Sequence, residues 1–279
     1  MTDYKSWKTG LSIHFENGYS QKDFAAFKAS GIDAVELSPR FGKEDELDWG
    51  AIRAESEKTG VAINSYHLPF KGSYTISDPD EEKRKAVVKN NIRLIKLAAS
   101  VGAKYMVVHP STEPIAEEDR PVQMAQAQKS LKELADAAED VGAVICVEDL
   151  PRTCLGRDVL DMKALLSADD RLRVCFDVNH LLRGSHEEFV RELGDKIVTL
   201  HISDYDYEDE CHFVPGIGSI DWKALTELLE NADYSGVFLY ESSLGEFEKH
   251  GIHSPAHTYE DIHKNHMNIK TFTGEGKRI

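Results

Sequence analysis

The sequence predicts a (β/α)₈ barrel, and three observations lead to that prediction. Apolar runs typical of buried strands alternate eight times with helical stretches. The chain has 279 residues, and such a barrel usually needs about 250. Each apolar run stops at a side chain able to bind a metal or move a proton. These side chains are His14, Glu36, His67, His109, Glu148, Asp177, His201 and Glu241.

The predicted strands are short and almost continuously apolar. A strand covered on both faces is rich in Val, Ile, Leu and Ala, because an unpaired buried charge is costly. The runs that end at Glu148 and Asp177 keep this composition until their last residue. The predicted strands lie near 11–15, 33–37, 61–67, 104–109, 143–148, 173–177, 197–203 and 236–241.

A predicted helix follows every strand. Ser20 and Asp23 have the spacing of a capping box, and Gly102 and Gly142 end two long helices as glycine does at a helix C-terminus. The predicted helices lie near 20–30, 48–59, 79–101, 123–141, 158–168, 186–194, 221–231 and 258–271. A doubly wound open sheet is the alternative, but it does not explain polar endings on all eight strands. In a barrel these endings converge on one site.

One barrel uses the whole chain, so residues 1–279 are predicted to form a single domain. The start of the chain lacks the apolar core of a secretory signal, and no apolar run approaches the ~20 residues of a membrane span. We therefore expect a cytoplasmic protein without a membrane partner. The four cysteines include no CxxC pair, which agrees. Cys154 and Cys211 lie in predicted loops near the barrel mouth, where they are either reactive thiols or bystanders.

The formal net charge of −16 is informative about partners. A protein that grips a nucleic-acid backbone does so through lysine and arginine, and it normally has a basic stripe. The sequence has no such stripe, so no nucleic-acid partner is expected. Part of the acidic excess is available to neutralise a bound cation, and most of it is an ordinary solvated surface.

The last four strand endings form the sharpest group. Glu148, Asp177, His201 and Glu241 end consecutive strands on one side of the barrel, so their side chains can meet. Each one alone has the alternative of a buried polar group paired to backbone. Three carboxylates brought together without a cation would repel, however, so the set predicts one divalent metal ion. Oxygen and imidazole ligands suit Mn²⁺, Zn²⁺, Mg²⁺ or Co²⁺.

Five segments resemble, in order and spacing, the xylose isomerase-like barrels. This superfamily includes sugar isomerases, keto-sugar epimerases, inosose dehydratases and apurinic-site endonucleases. The segments are Val147-Glu148-Asp149-Leu150, Cys175-Phe176-Asp177-Val178-Asn179-His180, Leu200-His201-Ile202-Ser203-Asp204, the stretch 212–222 and Tyr240-Glu241-Ser242. The resemblance implies that the four endings bind one divalent ion. In the epimerase branch, residues matching Glu148 and Glu241 also exchange protons with the sugar.

The chemistry explains why such residues belong together. A proton on carbon beside a carbonyl is too weakly acidic for an unaided carboxylate, and a divalent ion lowers the barrier by stabilising the enediolate. Two carboxylates on opposite sides, Glu148 and Glu241, can then remove and return the proton. The leading hypothesis is a metal-dependent sugar isomerase or epimerase acting on a small keto sugar or related polyol ketone. Dehydration of an inosose-type ketone is the alternative from the same residues.

Further polar residues surround this core. By the resemblance, His180 holds a substrate oxygen. A histidine at a strand end can also be a hydrogen-bonded wall, and Glu36 has the alternative of orienting a histidine. The predicted substrate-binding residues are His180, His212, His67, His109 and Glu36.

Three questions stay open at this level. Arg152, Arg157 and Arg183 follow strands five and six and would suit a phosphorylated substrate. The endonuclease branch uses three zinc ions, and Glu210 stands where that branch has an aspartate, although the acidic balance opposes DNA binding. The stretch 251–257 is predicted to be structureless and either covers the mouth or contacts a second copy in a homo-oligomer.

Overall fold

The computed structural model describes residues 3–13 and 19–273 of the chain. Its strands are short, and each except the first starts within one residue of its predicted position. They are β1 (Lys8–Ile13), β2 (Ala34–Leu37), β3 (Ala62–His67), β4 (Tyr105–Val108), β5 (Val144–Glu148), β6 (Arg173–Asp177), β7 (Ile197–His201) and β8 (Val237–Tyr240).

All eight strands belong to one parallel sheet. Neighbours in the sheet follow chain order from β1 to β7, and β8 pairs with β1. Just beyond β7, Ile202 closes the remaining gap. Its N–H donates to the carbonyl oxygen of Leu239 at 2.8 Å, and its carbonyl oxygen accepts from Glu241 at 2.9 Å. The predicted (β/α)₈ barrel is confirmed.

In the described part of the chain, eight α-helices surround the barrel, one after each of β1 to β8. They are α1 (Gln21–Ala29), α2 (Trp49–Thr59), α3 (Glu81–Ser100), α4 (Arg120–Glu139), α5 (Val159–Leu166), α6 (His186–Leu193), α7 (Trp222–Asn231) and α8 (Tyr259–Met267). Ser20 and Asp23 form the predicted capping box. Gly102 and Gly142 have φ angles of 105° and 71°, as expected for glycines that end α3 and α4. No helix within 3–13 and 19–273 is both long enough and apolar enough to cross a membrane.

The prediction of a structureless stretch at 251–257 is wrong for its first half, although residues 255–257 do lack helix and strand. Two further strands, β9 (Phe247–Lys249) and β10 (Ile252–Ser254), pair antiparallel as a hairpin. Its two turn residues, His250 and Gly251, have φ angles of 51° and 76°. Positive φ at both positions suits the tight turn of a two-residue hairpin. A His-Gly turn between strands of three residues is a weak sequence signal, which is why the hairpin was missed.

The cysteines have packing roles. All four are free and buried. Burial raises the pKa of Cys154 to about 12 and that of Cys211 to about 11. Both thiols are therefore protonated at neutral pH, which disfavours the reactive alternative.

The loop between β7 and α7 wraps around one buried carboxylate. Asp204 has no exposed surface. Its Oδ1 accepts hydrogen bonds from the backbone of Tyr205 at 2.9 Å and Ile220 at 3.1 Å. Its Oδ2 accepts from the backbone of Gly216 at 2.8 Å and the indole of Trp222 at 2.9 Å. Four donors on one carboxylate fix both ends of this loop.

Gly218 leaves no room for a side chain beside that carboxylate. A Cβ there would lie 2.5 Å from Asp204 Oδ1 and 2.5 Å from the carbonyl oxygen of Tyr205. Gly218→Ala is therefore expected to lower the free energy of unfolding by about 1–3 kcal/mol in urea denaturation. Gly245→Ala is the matched control, because nothing lies within 4 Å of a Cβ at that position. Equal losses in the two variants would contradict this account of the loop.

Candidate metal centre and active site

The carboxyl ends of the strands meet at a buried imidazole. His201 ends β7, and its side chain has no exposed surface. Its Nδ1 lies 3.1 Å from Glu148 Oε1, 3.1 Å from Glu241 Oε2 and 3.9 Å from Asp177 Oδ2. The structure thus brings the four predicted metal ligands around one point.

The charges at this point fit a cation. Asp177 Oδ1 accepts a hydrogen bond from Asn179 at 2.8 Å, but Oδ2 is buried without a hydrogen-bond partner among the described residues. Burial, together with the charges of Glu241 and Glu148, raises the pKa of Asp177 well above its ordinary value. A buried carboxylate oxygen that accepts no hydrogen bond is costly unless something positive lies beside it. The donor set of three carboxylates and one imidazole therefore fits a divalent ion.

Glu36 fixes the other side of His201. Its Oε1 lies 3.0 Å from His201 Nε2 and accepts from Ser12 at 2.8 Å, while its Oε2 accepts from Ser65 at 2.8 Å. When Nε2–H donates to Glu36, Nδ1 presents its lone pair to the carboxylates, which is the tautomer that a metal ligand needs. Glu36 is completely buried. Of its two predicted roles, this geometry supports orienting the histidine.

Glu148 lies between His201 and two further histidines. Its Oε2 is 3.1 Å from His67 Nε2 and 3.1 Å from His109 Nε2. His67 Nδ1 donates to the carbonyl oxygen of Leu68 at 2.9 Å. Burial alone lowers the pKa of His67, but the hydrogen bond and the charge of Glu148 raise it to about 9. His67 Nε2 is thus within hydrogen-bond distance of Glu148, whose charge raises the pKa of the imidazole.

A second group of polar side chains, His180, Glu210 and His212, lies next to Asp177. His180 Nδ1 donates to the carbonyl oxygen of Asp149 at 2.8 Å, and its Nε2 lies 3.1 Å from Glu210 Oε2. Glu210 Oε1 accepts from Arg152 at 2.9 Å. Burial raises the pKa of Glu210, but His180 and Arg152 outweigh it and hold the pKa at about 2. Glu210 is an anion at neutral pH.

His212 is the third member of this second group. Its backbone has a φ angle of 55°, and its Nδ1 donates to the carbonyl oxygen of Glu241 at 3.0 Å. Ligand atoms of His180, Glu210 and His212 all lie within 4.8 Å of one another. The same is true of His67, His109 and Glu148. Two further groups with metal-ligand chemistry thus flank the four central residues.

A cavity of about 440 Å³ opens above the centre. Six of the predicted site residues line it, and Glu36, Asp177 and His201 lie beneath. The six are His67, His109, Glu148, His180, His212 and Glu241. His14 falls outside the described residues.

The arginines near the mouth are already paired. Arg152 contacts Glu113 and Asp209, each at 2.5 Å, in addition to Glu210. Arg157 contacts Glu117 at 2.5 Å. Carboxylates therefore compensate two of the three arginines considered for phosphate binding.

Some functional neighbours were not found from the sequence. Ser12 and Ser65, which hold Glu36, are not obvious candidates because serine is common in every kind of segment. Spacing is the one available signal for Ser65, which lies two residues before His67 in β3, so that both side chains point to the same face of the strand. Phe70 also lines the cavity, but nothing in its local sequence distinguishes it from a packing residue.

Comparison with known proteins agrees with this architecture. The family model described as "Xylose isomerase-like TIM barrel" matches residues 24–262. The chain belongs to this family. Among xylose isomerase-like relatives, it is 22% identical over 269 residues to the D-psicose 3-epimerase of Enterocloster bolteae, covering 86% of this chain and 85% of that protein. It is 24% identical over 256 residues to the 3-dehydro-D-guloside 4-epimerase of Escherichia coli, covering 85% and 90%.

The fold of this xylose isomerase-like chain also matches solved structures. The apo 3-keto-D-glucoside 4-epimerase from E. coli superposes with a TM-score of 0.75 at 21% sequence identity. The match covers 94% of this chain and 99% of that one. At this level of identity the likeness shows the shared barrel.

Glu36→Gln is expected to weaken Mn²⁺ binding about 10- to 100-fold, because the amide no longer fixes the His201 tautomer. Competition with a fluorescent chelator measures the affinity. Glu230→Gln is the matched control, since Glu230 is also a buried glutamate but accepts hydrogen bonds from the backbone N–H of Tyr4 and the side-chain ammonium of Lys270, away from His201. If Glu36→Gln binds Mn²⁺ as tightly as the control does, Glu36 does not orient the ligand.

Proposed function

We propose that this chain is a divalent-metal-dependent sugar epimerase or isomerase. It would act on a keto sugar or related polyol ketone by moving a proton on the carbon beside the carbonyl. The observation that carries the proposal is the placement of Glu148 and Glu241. These two carboxylates lie 3.1 Å from the same His201 nitrogen and line the same cavity.

In this proposal the ion is held by Glu148, Asp177, His201 and Glu241. Mn²⁺, Zn²⁺, Mg²⁺ and Co²⁺ all accept this mixture of oxygen and nitrogen ligands. When bound, the ion supplies positive charge that makes a proton beside a carbonyl more acidic. The protein's part is to hold the ligands at the strand ends and to place the substrate between two carboxylates.

Glu148 and Glu241 remove and return the proton. If one takes it from one face of the carbon and the other returns a proton to the opposite face, the centre is epimerised. If the proton returns to the neighbouring carbon, the sugar is isomerised instead. His67 Nε2, 3.1 Å from Glu148 Oε2, is near enough to exchange a proton with this carboxylate. Loss of a β-hydroxyl from the same enolate is the inosose-type dehydration, and the identity of the product separates it from the other two outcomes.

Two of the cavity histidines would bind substrate directly. His212 has Nδ1 occupied by the Glu241 carbonyl, which leaves Nε2 for a sugar hydroxyl, and His109 lines the same cavity. His180 also lines it, but its Nδ1 donates to the Asp149 carbonyl and its Nε2 lies at Glu210, so a substrate oxygen would have to displace Glu210 to reach it. Because Arg152 and Arg157 are engaged by carboxylates, the site favours a sugar without a phosphate group. The names of the two curated epimerase relatives support a sugar substrate.

A second candidate function rests on the two flanking ligand groups. With ions at those groups as well as at the centre, the site would hold three metal ions and suit hydrolysis of a phosphate ester. The net charge of −16 opposes a DNA substrate. The two candidates therefore differ in the number of ions that each chain binds, one in the first and three in the second.

Glu148→Gln and Glu241→Gln are each expected to lower turnover by about 10²- to 10⁴-fold, because an amide keeps the shape of the side chain but cannot accept the proton. The assay follows deuterium uptake from D₂O into D-psicose, D-fructose and D-tagatose by NMR, which detects proton removal whatever the product is. Glu230→Gln is again the control for loss of a buried glutamate. Metal content is measured in every variant, since both glutamates are proposed ligands. A variant that keeps its metal and exchanges at the wild-type rate would contradict the two-carboxylate mechanism.

A further inference from the structure

The cavity has two chemically different ends. Its inner end holds the carboxylates and histidines described above. Its outer end is lined by the partly exposed Phe70 and by the polar side chains of Lys71, Glu113 and Arg152, while Leu150 and Pro151, which also line the cavity, are buried. The volume of about 440 Å³ falls in the range of roughly 300–1,000 Å³ that encloses drug-sized ligands. The ring of Phe70 lies beyond the histidines that a sugar held between the carboxylates would meet first, so it is placed for a group attached to that sugar.

Phe70 is the main feature of that outer end. Its side chain is 42% exposed, although it lies three residues beyond His67 on the loop that leaves β3. Its ring stacks on the ring of His109 with centroids 3.6 Å apart and an angle of 20° between the planes. His109 in turn lies 3.1 Å from Glu148. The rings of His67, His109 and Phe70 therefore form one continuous aromatic side of the cavity, with Phe70 nearest the mouth.

The loop that carries Phe70 is tied down. Thr112, on the loop after β4, donates a hydrogen bond to the carbonyl oxygen of Gly72 at 2.6 Å. Lys71 and Tyr74 pair across a short turn, with Tyr74 N–H donating to the Lys71 carbonyl at 2.8 Å. The exposed ring thus has a fixed place at the mouth. Leaving a large apolar surface in water is unfavourable, and covering it with another apolar ring recovers that free energy.

We infer that the natural substrate is a keto sugar that carries an apolar, ring-containing substituent, such as an aryl glycoside, and that Phe70 receives the substituent. This inference rests on the proposed function, because it places the sugar between Glu148 and Glu241. His109 contacts Glu148 on one side and Phe70 on the other. The sugar would therefore lie at the inner end of the cavity beside Glu148, and its substituent at the outer end beside Phe70. Arg152 at the same mouth is compensated by Glu113, Asp209 and Glu210.

The test compares the phenyl and methyl glycosides of 3-keto-D-glucose, which differ only in the substituent. Isothermal titration calorimetry measures their binding to the metal-loaded wild type, to Phe70→Ala and to Phe70→Tyr. We expect the wild type to bind the phenyl glycoside about tenfold more tightly than the methyl glycoside. Phe70→Ala should lose this preference with methyl-glycoside affinity retained, and Phe70→Tyr should keep it.

Phe41→Ala is the matched control. Phe41 is also 42% exposed and packs edge-on against Tyr74 with centroids 5.1 Å apart, but it does not line the cavity. This variant should keep the phenyl preference. Equal wild-type affinity for the two glycosides would overturn the inference, and so would an equal loss of both in Phe70→Ala, because Phe70 would then only support His109.

Deuterium exchange into the same two glycosides separates this inference from the proposed function. A phenyl preference that depends on Phe70, without any exchange, would support the substituent site and reject the proton-transfer chemistry. Exchange at equal efficiency in both glycosides, without a binding preference, would support the chemistry and reject the substituent site.

Discussion

The structure depends on one electrostatic constraint, a buried imidazole contacted by carboxylates on both of its ring nitrogens. Glu36 lies at Nε2 of His201, while Glu148 and Glu241 lie at Nδ1 with Asp177 close behind. Like charges at such distances, away from water, repel strongly. Even a protonated His201 leaves the group with an excess of negative charge. A divalent ion held by the proposed ligands would balance this charge and let three carboxylates remain ionised in one buried place.

The barrel holds this group through strand register. Parallel pairing sets Ser12 opposite Glu36 and, after a register shift between Val35 and Glu36, sets Glu36 opposite Ser65. Such an irregularity re-aims a side chain, and here it places Glu36 between two hydroxyl donors. On the other side of the barrel, Asp177 pairs with His201. The polar residues therefore meet because the backbone hydrogen bonds of neighbouring strands fix their height in the barrel.

Strand endings made the barrel and its central residues predictable from sequence. A polar residue at the end of an apolar run is a local signal, and the topology brings the seven such endings that lie in the described residues into one site. Partners distant in sequence were not predictable in this way. Arg152 pairs with Glu113 and Asp209 because three loops meet at that point. The sequence alone does not reveal this meeting, so only the structure shows that the charge of Arg152 is compensated. The hairpin of β9 and β10 was missed for a similar reason, because Phe247 gains its packing partner Phe213, 5.2 Å between ring centroids, only through the fold.

Anomalous diffraction from crystals of the Mn²⁺-loaded protein tests the central claim most directly, because it locates and counts the ions in one experiment. The account predicts a single strong peak contacted by Glu148, Asp177, His201 and Glu241, with Glu36 still bonded to the far nitrogen of His201. Three peaks, including one at His180, Glu210 and His212, would favour the three-metal candidate. A fully loaded crystal without a peak among the four central residues would contradict the account.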